Sequence, residues 1–168
     1  MKALRKHWSL RKESSKPLSG PFPSLIGKLL DNRDIYNLEE ANKFMSSAPE
    51  KEHDHMLLPD IDSAINRFHQ AIKNTETIAI FGDFDVDGIT ATALLSEGLQ
   101  NLGGKTIPYI PDRFQEGYGL SKSALDQMAK DGARMLVSVD CGTSNIDEVA
   151  YAKKIGIDVV ILDHHSVK

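Results

Sequence analysis

From residue 77 the chain alternates short apolar runs with segments of helical length, and few folds accommodate that alternation. Runs 77–81, 105–110, 134–139 and 157–162 read as strands, and 88–102, 121–131 and 145–155 as helices. Strands that recur only after a helix pair in parallel, because a parallel neighbour needs a crossover long enough to bring the chain back. The expected fold class is therefore α/β: a parallel β-sheet flanked by helices, preceded by a mainly helical N-terminal region. Ligands of such sheets bind outside the carboxyl ends of the strands. There the sequence sets Asp83, Asp85 and Asp87 after the first run, Asp112 and Arg113 after the second, Asp140 after the third, and Asp163, His164 and His165 after the fourth.

The organisation expected is a basic tail and loop at 1–23, a helical region at 24–75 and the α/β domain from 76 to 168. Within the helical region Ile61, Ala64, Ile65, Phe68 and Ile72 recur at three- and four-residue spacing after Pro59 and Asp60, a start signal, and this helix is expected to cover one face of the sheet. The net charge of −4 divides unevenly. Lys2, Arg5, Lys6, Arg11, Lys12 and Lys16 face only Glu13 in the first sixteen residues, which suits either a solvated terminus or a phosphate contact. With 40% hydrophobic and 26% charged residues the chain has a globular composition. No apolar stretch approaches the roughly 20 residues of a membrane helix, and residues 1–16 lack the apolar core of a signal peptide. No membrane association and a cytoplasmic location are expected. The single cysteine, Cys141, excludes an internal disulfide and fits a reducing compartment.

Three carboxylates within five positions, Asp83-Phe84-Asp85-Val86-Asp87-Gly88, repel one another unless a cation sits among them. The triplet also opens an EF-hand calcium loop, but the twelfth position, a bidentate glutamate in that loop, is Leu94, and an apolar β-branched run precedes it where an EF-hand has a helix. An aspartyl-phosphate nucleophile is a second alternative that leaves the histidine pair unexplained. Asp140 either caps the turn into the next helix or bridges two cations. Gly142 lets the backbone turn closely, and Ser144 is the expected N-cap of that helix. Two imidazoles beside Asp163 suit a transition metal such as Mn²⁺ or Zn²⁺ better than an all-oxygen calcium cage. Asp163 would orient an imidazole from outside the ligand set. Arg113 and Tyr118, in the glycine-punctuated loop 111–120, read either as a phosphate contact and a base-stacking ring or as a salt bridge and a packed side chain.

Taken in order, these motifs resemble the DHH phosphoesterase superfamily, named for the residues seen here as Asp163-His164-His165. Gly82 to Thr90, Val139-Asp140-Cys141-Gly142 and Glu116 to Leu120 are similar to its exonuclease branch, and the likeness extends weakly to Trp8 and the stretch 29–35. Pyrophosphatase and cyclic-dinucleotide branches carry histidine and proline where this chain has Asp83 and Phe84. The resemblance implies two Mn²⁺ or Mg²⁺ ions, one held by Asp85 with Asp83, the other by Asp87 and His164, with Asp140 as bridge. It also implies that His165 touches the scissile phosphate and Arg113 a neighbouring one. Asp85, Asp87, Asp140, His164 and His165 are thus the expected catalytic residues. The implied activity is 5′ to 3′ hydrolysis of single-stranded DNA in recombination and repair, with single-stranded-DNA-binding protein and repair helicases as partners. A non-catalytic DNA- or partner-binding module and a phosphodiesterase of short oligonucleotides or cyclic dinucleotides are the alternatives. The family supplies a further aspartate ligand from a later strand, a second domain and an OB-type module, so an N-terminal fragment, weak or inactive in isolation, is expected.

Overall fold

The computed structural model describes residues 17–47 and 54–166, and its contacts group into two units, Met1–Asp54 and His55–Lys168. The basic stretch 1–16 and Trp8 lie outside the described residues. In the first unit, α1 (Ser24–Asp31) follows Pro23, and α2 (Leu38–Met45) starts where the Asn37 side chain accepts the Glu40 N–H at 2.8 Å. That bond satisfies one of the orphan donors of a helix start. Leu30 and Ala41 form its buried apolar positions.

The second unit opens with a 3₁₀ turn, His55–Leu57, and then runs α3 (Ile61–Lys73), β1 (Thr77–Gly82), α4 (Val86–Asn101), β2 (Lys105–Tyr109), α5 (Lys122–Lys130), β3 (Ala133–Val139), α6 (Ile146–Lys154) and β4 (Asp158–Leu162). All four strands are parallel, in the order β2-β1-β3-β4. Every expected strand and helix of this unit is present, with ends shifted by one or two residues. The largest shift is in α4, expected from residue 88 and found from Val86, because Asp85 caps it and draws Asp87 into the first turn. Asp60 does precede α3, but in the left-handed region at φ 56° and without a side-chain cap bond.

β1 is buried along its whole length, as a central parallel strand covered on both faces must be. Ile78 and Ile80 pack with Met135 and Val137 against Ala71, Phe68 and Ile72 of α3 and Leu99 of α4. Ala79 and Phe81 pack on the opposite face with Leu136 against Leu125 and Met128 of α5 and Ala152 of α6. Each large side chain buried there stabilises the fold by about 1.5–3 kcal/mol relative to exposure. Helix α3 therefore belongs to this unit. Arg67 ties it down, donating to Asp158 at 2.8 Å, to Glu76 at 2.7 Å and to the Arg134 carbonyl at 3.3 Å.

A candidate metal centre at the switch point of the sheet

The chain leaves β1 for β2 on one side and β3 for β4 on the other. The carboxyl ends of β1 and β3 therefore flank the point where strand order reverses, the crevice that open parallel sheets use for ligands. Asp83 leaves β1 buried, and its Oδ1 accepts the Phe84 N–H at 2.7 Å. Asp85 is the N-cap of α4, accepting the Gly88 N–H at 3.1 Å. Asp87 stands exposed in the first turn, where the helix dipole favours a negative charge. Gly88 is required by close approach: a Cβ there would run into the backbone nitrogen and oxygen of Asp83. At the end of β3, Asp140 takes a left-handed conformation, φ 60°, that aspartate tolerates better than most residues. Its N–H donates to the Leu162 carbonyl at 2.9 Å, which fixes it against β4.

Two sets of potential ligand atoms result, each within 4.8 Å of one another: Asp83, Asp85 and Asp140, and Asp140, His164 and His165. Asp140 belongs to both. His164 Nε2 lies 3.0 Å from Asp140 Oδ1. Burial, then the charges of Asp85 and Asp87, raise the Asp140 carboxyl above its ordinary value, opposed by the His164 hydrogen bond. A buried carboxylate facing other carboxylates needs a proton or a cation, and a donor set of carboxylate oxygens with imidazole nitrogens fits Mn²⁺ or Mg²⁺. Asp87 falls outside both sets and contributes charge. The imidazole set instead includes His165.

Asp163 organises the histidine side. Its side chain is 2% exposed and accepts the Thr143 N–H at 3.1 Å, the His165 N–H at 3.1 Å and His165 Nδ1 at 2.7 Å. Burial alone would raise its pKa, but these donors outweigh it and hold the group well below the ordinary carboxylate range. The ionised Asp163 can only accept, so Nδ1 of His165 carries a proton and Nε2 points away from it. The same bond, foremost, raises the His165 pKa.

Tyr118 meets the His165 ring edge-on, centroids 6.2 Å apart, and is 56% exposed. Arg113 lies over the Phe84 ring, 5.1 Å from its centroid, and among the described residues no hydrogen bond or ion pair occupies its guanidinium. Their loop is pinned by residues that sequence spacing did not single out as supports. Glu116 accepts the Tyr109 hydroxyl at 2.7 Å and the Asp112 N–H at 2.8 Å. Asn145 accepts the Leu120 N–H at 3.2 Å and donates to its carbonyl at 3.3 Å. No local pattern announces a bond across 25 residues. Asn145, not Ser144, holds the N-cap position of α6, and its side chain bonds the loop and, at 3.0 Å, Glu148 of the first turn instead of capping a backbone N–H of the helix. Gly142, at φ 114°, allows the tight passage there, since a Cβ would lie 2.7 Å from Ser138 Oγ.

An open cleft of about 1370 Å³ runs from α3 and α6 along β4 and reaches Asp87, Asp140, Asp163 and His164. A parallel sheet with acidic and imidazole groups gathered at its switch point defines a class, and residues 77–168 match the family model described as DHH family, N-terminal domain. The chain belongs to that family. It is 36% identical over 141 residues to the single-stranded-DNA-specific exonuclease RecJ of Bacillus subtilis (strain 168), covering 84% of this chain and 18% of that protein. The corresponding RecJ of Salmonella typhimurium (strain LT2) is 34% identical over 166 residues, covering 98% of this chain and 28% of that one. The crystal structure of exonuclease RecJ bound to manganese matches with a TM-score of 0.64 and 31% identity over 70% of this chain and 30% of its own. The chain thus spans less than a third of the length of these relatives. Among the described residues no helix is long and apolar enough to cross a membrane.

Proposed function

We propose that this chain carries the hydrolytic centre of a metal-dependent exonuclease that degrades single-stranded DNA from its 5′ end. The observation that supports this most directly is the membership of Asp140 in both ligand sets, the arrangement expected of a carboxylate shared by two ions. Asp83, Asp85 and Asp140 would hold one Mn²⁺ or Mg²⁺, and Asp87, Asp140 and His164, which line one cleft, the other. When bound, such ions would activate water and offset the negative charge that develops on the oxygens of the phosphoryl group. The remaining groups address the substrate. His165, its Nδ1–H donating to Asp163, presents Nε2 to a phosphate oxygen and donates to it when the ring is protonated. The free fork of Arg113 matches two phosphate oxygens at once, and Tyr118 offers a face to a base. The RecJ relatives support the substrate class by name, and a role in recombination and repair, in the cytoplasm and beside single-stranded-DNA-binding protein and helicases, is part of the same proposal.

The test is Mn²⁺-dependent hydrolysis of 5′-labelled single-stranded DNA, with EDTA controls, by this chain and by the full gene product. Asp85→Ala and Asp140→Ala are expected to abolish cleavage while DNA is still bound. Unchanged cleavage by either variant would refute the assignment of the site.

A further inference from the structure

We infer that Phe84 is a positioning residue for phosphate recognition: its ring holds the Arg113 guanidinium beside the carboxylate cluster with its donors free. The inference rests on the proposed function, in which Arg113 meets a substrate phosphate. Phe84 sits between two members of the cluster, Asp83 and Asp85, half-buried, with its N–H bound to Asp83 Oδ1 at 2.7 Å. Its ring is therefore placed by the same backbone that places the carboxylates. On the facing loop, Asp112 Oδ1 accepts the N–H groups of Phe114 and Gln115 at 2.8 and 3.1 Å, and Glu116 accepts the Asp112 N–H at 2.8 Å, so the backbone around Arg113 is tied down.

A mobile arginine near several carboxylates would be expected to pair with one of them, which would occupy the donors a phosphate needs. The ring offers a different partner. A guanidinium 5.1 Å from the ring centroid is attracted to the face of the π-system, an interaction that uses none of its five N–H donors. The ordering of a long, flexible side chain is then partly complete before substrate arrives, which lowers the entropic cost of binding. The residue between the first two aspartates thus shapes the phosphate site without touching metal or substrate.

A double-mutant cycle in the full gene product tests this. Phe84→Ala is expected to raise KM for single-stranded DNA about two- to fivefold, the value of one exposed cation–π contact, with kcat and the Mn²⁺ concentration for half-maximal rate unchanged. Arg113→Ala is expected to raise KM further, and Phe84→Ala to add nothing in that background. Phe84→Tyr should restore the original KM, and Phe84→Leu, which keeps apolar bulk without a ring face, should not. Additive effects of the two alanine substitutions, restoration by Phe84→Leu, or a shifted Mn²⁺ requirement would overturn the inference. A second readout needs no cleavage: in this chain the Arg113 side-chain protons should show upfield ring-current shifts in NMR spectra, absent in Phe84→Leu. Loss of those shifts with intact cleavage supports the stack. Unshifted Arg113 protons in the unsubstituted chain overturn it, whereas absence of cleavage by the unsubstituted gene product overturns the functional reading instead.

Discussion

The two halves of the candidate metal centre are built differently. Asp83 and Asp140 are buried at the ends of the two central strands, and the cap of α4 fixes Asp85 between them. His164 and His165 leave the edge strand β4, with side chains 73% and 48% exposed. The carboxylate half is held by the core of the sheet, and its geometry is as rigid as that core. The histidine half is held by a few polar bonds, chiefly those of Asp163. Asp140 couples the two, accepting strain in its backbone and like charges around its carboxyl. The contrast teaches where each half is vulnerable: the first to anything that moves β1 against α4, the second to loss of a single orienting hydrogen bond.

The most damaging single change should be Gly88→Ala. Its new methyl group would collide with the Asp83 backbone, at a cost of about 3 kcal/mol if the core cannot yield. Chemical denaturation should register that loss, and calorimetric titration should find Mn²⁺ binding gone. A normal melt with intact binding would show that the carboxylate half is not built on this close approach.

Asp140→Asn attacks the link rather than either half. Asparagine tolerates the left-handed backbone, so the fold should survive. Mn²⁺ affinity should fall by more than about 100-fold, since even the partners behind a ligand cost 10–100-fold when removed. The metal-free protein should melt higher than the original at neutral pH, because a carboxylate whose pKa is raised by burial and by Asp85 destabilises the fold while ionised. A lower melting temperature would remove the like-charge argument for a cation.

Asp163→Asn isolates the histidine half. The amide can still accept from one donor, but the charge that orients His165 is gone, and about a tenfold rise in KM for single-stranded DNA is expected, with Mn²⁺ affinity kept. If KM is unchanged, His165 does not meet a substrate phosphate and its contact with Asp163 serves the turn alone.

The smallest effect should come from outside the centre. Glu76 accepts hydrogen bonds from Asn74 and Arg67 that, despite burial, hold its pKa below the ordinary 4.5. A depressed folded pKa stabilises the protein fully above about pH 4.5 and loses that contribution as pH falls through the folded value. Glu76→Gln, which keeps an acceptor oxygen but loses the charge, should therefore lower stability by less than about 1 kcal/mol at pH 7 and narrow the difference from the original protein in more acidic solution. A constant difference across that range would break the linkage.

The sequence by itself determined the parallel α/β fold, because apolar runs separated by helix-length segments leave no other short-range pairing. It also determined the list of polar residues at one edge, since each follows directly from the end of a run. Asp85 as a cap and the start of α4 at Val86, two residues before the expected 88, are within reach of local capping rules. Only the tertiary structure decided which carboxylates meet. Strand order β2-β1-β3-β4 brings Asp140 to Asp83 and Asp85 across more than fifty residues, and no sequence period encodes which strands become neighbours. The same holds for Asn145 clasping Leu120 and for Arg113 lying on Phe84. Each depends on how separately formed elements pack together, a long-range property to which local spacing is blind.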